Sequence, residues 1–516
     1  MKTGEVRAEL LARRKKALKM GGAEKVERQY ARGKKTVRER LDMLLDPGSF
    51  QEYGQLASRF AEHYQTVDEI VAADGFIFGF GKIDGRYVCV GAEDFTVFGG
   101  SVGINHLKKK IRAIELATQE RVPMIWLLDG GGARAQDMVG EGLPEGPHYL
   151  SIARHSGVAP QVALVMGPCA GDSSLIASET EFIVMVEGIG MLAAGGPPVV
   201  EAATGQKISK EELGGVDVHC RISGVADNPA ASEEDAVAVT KQYLSYLPNN
   251  AWEYPPQYAA ACSFDRADAE LETIVPNDPL TPYDMKRVIH GIIDRDSFFE
   301  IKPLHATMII TAFARMNGHP VGIVANQPLV GAGAITTQAA NKARHFVDLC
   351  TAYHLPLIFL TDVPGVMPGP RFEREGTLRA GMAMAYSLAW SDVPKITVVI
   401  RKAFGYGAFA MCGAGADQTV VLAWPNADFA SLPPDSSAMA AHGAEIAAAD
   451  DPEALKRELE IEYSKVAGPL HAAGKINIDD VIEPGETRLR INRALDLALS
   501  RRTKPAAPTS RYGVMP

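Results

Sequence analysis

The chain has 516 residues, of which 46% are hydrophobic and 22% are charged, so it is long enough for two large domains and has a globular composition. Its 53 Lys and Arg residues face 63 Asp and Glu residues, and this net charge of −10, without a dominant basic block, argues against a nucleic-acid partner. No apolar run approaches the roughly 18 residues that a membrane helix needs, and the charged N-terminus lacks the apolar core of a signal peptide. We therefore expect a cytoplasmic protein with no membrane partner.

The first half of the chain has the pattern of an α/β domain. Its first 40 residues are typical of a charged helix, and Asp84-Gly85 between apolar runs predicts a hairpin. Short apolar runs at 123–128 and 162–166 predict buried strands. Between the hairpin and the first of these strands, apolar residues at helical spacing predict a helix with a buried stripe of Leu107, Ile111, Ile114 and Ala117.

The second half repeats this pattern, and Asn317-Gly318 near apolar runs predicts a second hairpin. Residues 81–133 align without a gap on residues 314–366, a shift of 233, with 13 identities in 53 positions, where composition alone gives roughly three or four. Two similar domains, 1–264 and 265–516, are therefore predicted. The proline- and asparagine-containing stretch 248–282 has the composition of a linker or an exposed crossing segment.

Glycine-containing turns follow the predicted strands in both halves, at 130–133, 167–171, 362–365 and 405–408. In open α/β sheets, such turns let a ligand approach the backbone, and NH groups at helix N-termini stabilise negative charge. Each turn alone is equally consistent with a simple tight turn, but four at matching positions favour a site in each half.

No motif of a zinc protease, a P-loop or a dinucleotide-binding fold occurs. Residues 99–103 fit the G-x-S-x-G pattern of a serine hydrolase, which His155 or His290 would have to complete. The repeat partner of this pattern, Ala332-Gly333-Ala334, carries no serine. The six cysteines form no C-x-x-C pair, which argues against a zinc ribbon or a disulfide framework.

Several longer motifs nevertheless resemble a known family. The chain resembles the carboxyltransferase (beta) subunit of biotin-dependent acyl-CoA carboxylases, of the propionyl-CoA and methylcrotonyl-CoA types. The resemblance runs nearly end to end and rests on residues 38–41, 45–50, 94–100, 131–134, 167–171, 326–328 and 362–365. It implies an α/β fold of two tandem crotonase-like (ClpP/crotonase) domains and a homo-hexamer.

The resemblance also implies the reaction. A carboxyl group would pass from carboxybiotin, presented in trans by a biotin carboxylase/biotin carboxyl carrier subunit, to the α or vinylogous carbon of an acyl-CoA, with no metal in this chain. Domain 1–264 would be the acyl-CoA side and domain 265–516 the biotin side. Gly171 and Asp172 would face the thioester oxygen, and Tyr406 and Gly407 the biotin ureido oxygen.

Other site residues carry over from the same motifs. Basic Arg134 and Lys402 are candidates for CoA phosphates, although a lone basic side chain is more often a solvated charge. The positions implied for substrate are Gly131, Gly132, Ala133, Arg134, Ala170, Ala408 and Phe409, and those implied for biotin are Gly365, Lys402 and Gly405.

Three residues depart from the family pattern or bear on acyl choice. Asp172 stands where relatives usually have a small neutral residue, and it would either cap the helix predicted at 173–178 or contact a polar acyl group. Tyr406 replaces a small residue, and Phe409 lies at a position that bears on acyl choice; both would serve either packing or substrate contact. Residues 405–413 look most like the methylcrotonyl type and the first half like the propionyl type, so the acyl group stays open.

Two further hypotheses use the same motifs. The chain would be the carboxyltransferase subunit of a biotin-dependent acyl-CoA decarboxylase if its coupled subunits run the reaction in reverse. It would instead be a catalytically degenerate scaffold if Asp172 and Tyr406 abolish turnover.

Overall fold

A computed structural model describes residues 3–138, 148–413, 415–502, 505–510 and 513–516. The chain divides into two compact units, Met1–Glu253 with Ser510–Pro516 and Tyr254–Thr509. The family-domain boundary between residues 264 and 265, taken from the sequence repeat, stays a prediction.

The first unit is built on a mixed sheet. Its strands in the described residues are β1 (Gln51–Tyr53), β2 (Phe76–Ile83), β3 (Arg86–Glu93), β4 (Met124–Leu128), β5 (Gln161–Val165), β6 (Pro168–Ala170), β7 (Phe182–Val186), β8 (Met191–Ala193) and β9 (Asn228–Ala230). Seven of these strands form a sheet in the order β1-β2-β3-β4-β5-β7-β9, in which the first three are antiparallel and the rest run parallel. Strands β6 and β8 form a separate parallel pair.

Helices accompany this sheet, and the longer ones near it bury apolar side chains along one face. The described helices are α1 (Thr3–Ala17), α2 (Ala23–Tyr30), α3 (Val37–Leu44), α4 (Ile104–Glu120), α5 (Ala135–Met138), α6 (His148–His155), α7 (Asp172–Glu179), α8 (Pro197–Thr204), α9 (Lys210–Gly214) and α10 (Glu233–Tyr246). The expected stripe of α4 is confirmed at Leu107, Ile114 and Ala117, which are buried, whereas Ile111 is half-buried. The N-terminal segment is three helices rather than one.

The second unit repeats the sheet. Its described strands are β10 (Phe299–Ile301), β11 (Ile309–Met316), β12 (His319–Asn326), β13 (Leu357–Val363), β14 (Lys395–Phe404), β15 (Val420–Ala423), β16 (Asp428–Ala430) and β17 (Asp480–Val481). They follow the order β10-β11-β12-β13-β14-β15-β17, with β16 also paired to β14. The position of each strand along this order matches that of its counterpart in the first unit.

The second unit's helices include one, α13, that occupies the same place in the repeat as α4. The described helices are α11 (Leu271–Ile274), α12 (Met285–Ile292), α13 (Thr337–Ala352), α14 (Pro370–Arg374), α15 (Thr377–Trp390), α16 (Gly405–Ala410), α17 (Pro434–Ala448), α18 (Pro452–Ala467), α19 (Pro469–Gly474) and α20 (Thr487–Leu499). Residues 248–282 contain only the short helix α11 and are otherwise irregular, as a linker composition predicts. In the part of the chain that the structure describes, no helix combines the length and apolarity needed to cross a membrane.

Both predicted hairpins are confirmed. Asp84 and Gly85 join β2 to β3 with φ of 49° and 79°, and Asn317 and Gly318 join β11 to β12 with φ of 50° and 79°. Two consecutive residues of positive φ form the turn that matches strand twist, and Asp-Gly and Asn-Gly are the pairs that adopt it most readily. The hairpins therefore fix the register of β2 against β3 and of β11 against β12.

Candidate active site

In the first unit, two glycine turns lie backbone against backbone at the carboxyl ends of β4 and β6. A Cβ on Gly132, whose φ is +83°, would lie 2.8 Å from the carbonyl oxygen of Ala170. Gly171 also has a positive φ, of 61°, and immediately precedes α7. The predicted loops 130–133 and 167–171 are thus brought together, and Gly132 is required by both close approach and backbone angle.

The first turn of α7 supplies the NH groups at this junction. An α-helix leaves its first NH groups without an intrahelical acceptor, and α7 begins at Asp172. The NH of Gly171 donates instead to the carbonyl oxygen of Ala193, at 3.1 Å. Of the two donors expected at the thioester oxygen, the NH of Asp172 belongs to the helix N-terminus and that of Gly171 is used within the fold.

The carboxylate of Asp172 is held in an ion-pair network. Its Oδ2 accepts from the ammonium of Lys110 at 2.7 Å, and its Oδ1 accepts from the hydroxyl of Tyr149 at 2.8 Å. Lys110 also donates to Glu93, at 2.7 Å. Asp172 is itself the first helical residue and Gly171 holds the N-cap position, so the expectation that Asp172 caps the helix is wrong.

Arg134 is buried within the fold. Its guanidinium bonds to the carboxylates of Asp74 at 2.7 Å and Asp137 at 2.9 Å, and to the carbonyl oxygen of Ser101 at 2.8 Å. Its side chain is 4% exposed. These contacts make Arg134 a support of the 131–133 loop more than a free cation for CoA phosphates.

The serine-hydrolase pattern lacks the contact that would activate it. The hydroxyl of Ser101 donates to the carbonyl oxygen of Phe98 and accepts from Arg134. Nδ1 of His155 lies 2.9 Å from the hydroxyl of Thr118, and the ring of His290 packs on Phe298. None of these contacts joins the serine to a histidine base.

A basic pocket beside the first-unit loops escaped sequence analysis. Its volume is about 230 Å³, and it reaches Gly99, whose carbonyl oxygen accepts the NH of Gly131 at 3.0 Å. Lys25 and Arg28 lie on α2 and Arg32 follows its last residue, and their spacing of three and four residues is the one that places side chains on one helix face. That spacing was the available signal, but nothing in the sequence says that aromatic rings complete the pocket. Its lining is Lys25, Arg28, Gln29, Arg32, Phe95, Thr96, Phe98 and Gly99.

The second unit has the same junction of two turns. A Cβ on Gly407 would lie 2.8 Å from Cα of Gly365, which has φ of +133°. Helix α16 begins at Gly405, whose φ is +54°, so the NH groups of Tyr406 and Gly407 belong to its first turn. Gly171 and Gly405 are therefore structural equivalents, at a shift of 234 residues.

Lys402 lies just before this turn, and its ammonium contacts other residues of the second unit. Its ammonium donates to the carbonyl oxygen of Pro279 at 2.7 Å and lies 3.9 Å from the carboxylate of Asp362. The same carboxylate accepts from Arg401 at 3.0 Å. Burial lowers the pKa of Lys402 from its ordinary value, although Asp362 opposes that shift.

Tyr406 and Phe409 differ in exposure. The Tyr406 ring packs against Gly381 of α15, and burial raises the pKa of its hydroxyl. Phe409 is 45% exposed. A cavity of about 360 Å³ is lined by Gly405, Ala408 and Phe409 together with mainly apolar residues of the sheet. Tyr406 thus makes a packing contact with α15, whereas nearly half of Phe409 is exposed.

Comparison with known proteins identifies the family. The carboxyl transferase domain model matches residues 28–512. The chain belongs to the carboxyl transferase domain family. It is 39% identical over 507 residues, 98% of this chain and 96% of the relative, to the methylmalonyl-CoA carboxyltransferase 12S subunit of Propionibacterium freudenreichii subsp. shermanii. It is also 38% identical over 511 residues, 98% of each chain, to the propionyl-CoA carboxylase carboxyltransferase subunit of Haloferax mediterranei.

Solved structures agree with this assignment. The transcarboxylase 12S crystal structure, described as a hexamer assembly with methylmalonyl-coenzyme A bound, has a TM-score of 0.92 at 38% identity and 99% coverage of both chains. The carboxyl transferase chain described here is accordingly a biotin-dependent acyl-CoA carboxyltransferase subunit with two crotonase-like halves. Among its described residues, no cluster of three His, Cys, Asp or Glu side chains is placed to hold a metal ion.

Proposed function

We propose that this carboxyltransferase moves the carboxyl group of carboxybiotin, held on a separate carrier subunit, to the α carbon of a short saturated acyl-CoA such as propionyl-CoA. The observation that carries the proposal is the pair of glycine junctions, each beside the first turn of a helix at equivalent positions of the repeat. The acyl group is chosen because relatives across the chain's length are named propionyl-CoA carboxylase or methylmalonyl-CoA carboxyltransferase.

On the acyl side, the first turn of α7 would bind the thioester oxygen of the acyl-CoA. Removal of the α proton places negative charge on that oxygen, and a helix N-terminus favours negative charge. One such donor is typically worth about 3 to 4 kcal/mol of transition-state stabilisation. Gly131, Gly132, Ala133 and Ala170 would keep the opposing backbone close enough to confine the acyl group.

On the biotin side, the NH groups of Tyr406 and Gly407 would bind the ureido oxygen. Carboxybiotin supplies the carboxyl group and, once that group has left, a ring nitrogen that accepts the substrate proton. Gly365 and Gly405 would shape the turn, and Lys402 would hold the start of this turn in place through Asp362. Phe409 and Ala408, at the mouth of the apolar cavity, would limit the size of the bound group.

The basic pocket near α2 would bind the nucleotide end of CoA. Lys25, Arg28 and Arg32 offer cations for phosphates, and Phe95 and Phe98 offer rings on which a base stacks. The pocket reaches Gly99, which bonds to the 131–133 loop. Arg134 would hold that loop through Asp74 rather than contact a phosphate.

Self-association and a carrier partner belong to the same proposal. The related 12S structure is described as a hexamer assembly, and we extend that state to this chain. An exposed apolar stripe on α15 supports it, since such surfaces mark protein interfaces. The stripe consists of Leu378, Met382, Tyr386 and Trp390, which are 54 to 72% exposed. A biotin carboxylase/biotin carboxyl carrier subunit as partner and a cytoplasmic location complete the proposal.

A decarboxylase role is the second candidate. Methylmalonyl-CoA decarboxylase subunit alpha of Veillonella parvula is 37% identical over 519 residues and is covered over its whole length. The same site would then remove the carboxyl group from the acyl-CoA and pass it to biotin. Coupled subunits set that direction, so the two roles share every residue assigned above.

The test is carboxyl transfer from carboxybiotin on its carrier to acetyl-, propionyl-, methylcrotonyl-, aryl- and hydroxyacyl-CoA. We expect propionyl-CoA to have the highest kcat/KM, and the control is the same carrier without attached biotin. Highest turnover of another thioester would overturn the acyl assignment. No turnover of any thioester with a carrier of proven activity would favour the scaffold hypothesis.

A further inference from the structure

Lys110 connects two acidic side chains beside the acyl-side site. It lies on α4, and its ammonium donates to Oε1 of Glu93 and to Oδ2 of Asp172, both at 2.7 Å. The side chains of Lys110 and Glu93 are 0% exposed, and that of Asp172 is 11% exposed. Buried charges of this kind persist only when they are paired, so the three side chains depend on one another.

Through Glu93, the same ammonium reaches both turns of the junction. Oε2 of Glu93 accepts the NH of Asp129 at 2.8 Å, at the end of β4. Oε1 of Glu93 accepts the hydroxyl of Ser173 at 2.6 Å, in the first turn of α7. Lys110 therefore holds the two backbone segments that would enclose the thioester, the β4 turn through Glu93 and the first turn of α7 through both Glu93 and Asp172.

Charge adds a second requirement at this place. Two carboxylates beside a helix N-terminus oppose an oxygen that becomes negative, unless a cation compensates them. Lys110 is such a cation: burial opposes its charge, but Asp172 and Glu93 raise its pKa above the ordinary value. His106, one turn earlier, is kept neutral because burial holds its pKa well below the ordinary value. The guanidinium of Arg134 is already paired with the carboxylates of Asp74 and Asp137.

In the second unit, the corresponding turn is ordered by a neutral side chain at the position of Glu93. At the repeat positions of Glu93 and Lys110 it has Asn326 and Ala343. Oδ1 of Asn326 accepts the NH of Asp362 at 3.2 Å, and its amide NH donates to the carbonyl oxygen of Gly333 at 2.9 Å. A neutral amide is thus sufficient to order this turn, and the lysine is needed only where the acidic residues are present.

We propose that Lys110 is a positioning residue of the acyl-side site, which ties the β4 turn to the first turn of α7 and compensates Asp172 and Glu93 while the thioester oxygen becomes negative. The inference rests on the proposed function. It assigns a role in substrate activation to a residue that contacts neither the substrate nor biotin.

The test compares Lys110→Met with a variant that removes the charges altogether. Lys110→Met should lower kcat by about 100-fold with KM changed less than about threefold, because the loops lose their alignment. The triple variant Glu93→Gln, Lys110→Met, Asp172→Gly should recover kcat to within about tenfold of the wild type, since it strands no carboxylate. Lys109→Met is the matched control, because that buried ammonium donates to the carbonyl oxygens of Ala73 and Phe76. It should lower the thermal midpoint and leave kcat within about threefold.

A readout that needs no carrier separates this inference from the proposed function. The infrared carbonyl stretch of propionyl-CoA, labelled with ¹³C at the thioester, should move to lower frequency on the wild type. That shift should shrink with Lys110→Met and return with the triple variant. The inference would be overturned if Lys110→Met showed a frequency shift as large as that of the wild type. It would also be overturned if the triple variant had no larger shift and no higher kcat than Lys110→Met. If the wild-type protein showed the frequency shift but no carboxyl transfer, the proposed function would be overturned instead.

Discussion

Both units contain a glycine turn followed by the first turn of a helix, but the charged residues around these two turns differ. In the first, the turn before α7 is surrounded by Glu93, Lys110 and Asp172. In the second, the corresponding positions are Asn326, Ala343 and Tyr406. The helix N-terminus is thus the same in both units, and the side chains around it differ. This indicates that the repeated element is the helical turn with its backbone NH groups, and that the side chains specialise each half.

A second set of positions stays alike in the two units. Asp129 and Asp362, 233 residues apart, are both fully buried and paired with arginine. Lys109 and Lys342 both donate to backbone carbonyl oxygens at the base of the hairpin. These residues secure the scaffold, so changes to them should affect stability in both units, whereas changes to the specialised positions should affect activity in one.

The largest expected effect comes from breaking a shared position. Asp129→Ala leaves Lys34 and Arg40 buried without their common carboxylate, and we expect the first unit to lose about 3 to 5 kcal/mol of stability. Asp362→Ala is the matched variant and should cost less, because Asp362 pairs closely with one buried cation, Arg401, whereas Asp129 pairs with both Lys34 and Arg40. Hydrogen exchange followed by mass spectrometry measures each unit separately. Equal losses in the two units would show that the pairings are interchangeable.

The biotin-side turn is the next position to break. Gly407→Pro removes an NH group from the first turn of α16 and pushes side-chain atoms against Gly365. We expect kcat for carboxyl transfer to fall about 100- to 1,000-fold while acyl-CoA affinity and assembly are retained. Transfer kinetics, calorimetric binding of the acyl-CoA and light scattering give the three readouts. Full activity would contradict the assignment of this turn.

Making the first unit resemble the second sharpens the comparison. Asp172→Gly removes one carboxylate and leaves Lys110 paired with Glu93, so we expect kcat/KM for propionyl-CoA to change by less than about tenfold. If the carboxylate or its Tyr149 partner faces the acyl group, the preference among acyl-, hydroxyacyl- and aryl-CoA should shift. An unchanged preference across that panel would assign Asp172 to the ion-pair network alone.

The smallest expected effect concerns Glu179, at the last turn of α7. Burial raises its pKa to about 7 from an ordinary 4.5. Because the folded protein keeps a proton that the unfolded chain loses, this contribution to stability is complete below about pH 4.5 and is lost as the pH rises through about 7. Glu179→Gln should flatten that part of the pH dependence of the thermal midpoint. Parallel curves for the two proteins would place Glu179 in contact with solvent.

Much of the scaffold could be predicted from the sequence because its signals are local or repeated. Asp84-Gly85 and Asn317-Gly318 fix their own turns, and the gapless repeat transfers one half's order of elements to the other. The partners of Asp172 could not be predicted, since Lys110 is 62 residues away and a helix of charged residues gives no sign of which one turns inward. The sequence also pairs Gly171 with Gly405, because the repeat continues beyond a one-residue insertion at a shift of 234 instead of 233.

The end of the chain gives synthesis an order. Ser510–Pro516 belongs to the first unit, where the NH of Val514 donates to the hydroxyl oxygen of Ser156 at 2.8 Å. A ribosome therefore releases all of Tyr254–Thr509 before it releases the segment that completes the first unit. The surface of the first unit that this segment covers is therefore exposed until Tyr254–Thr509 has been synthesised.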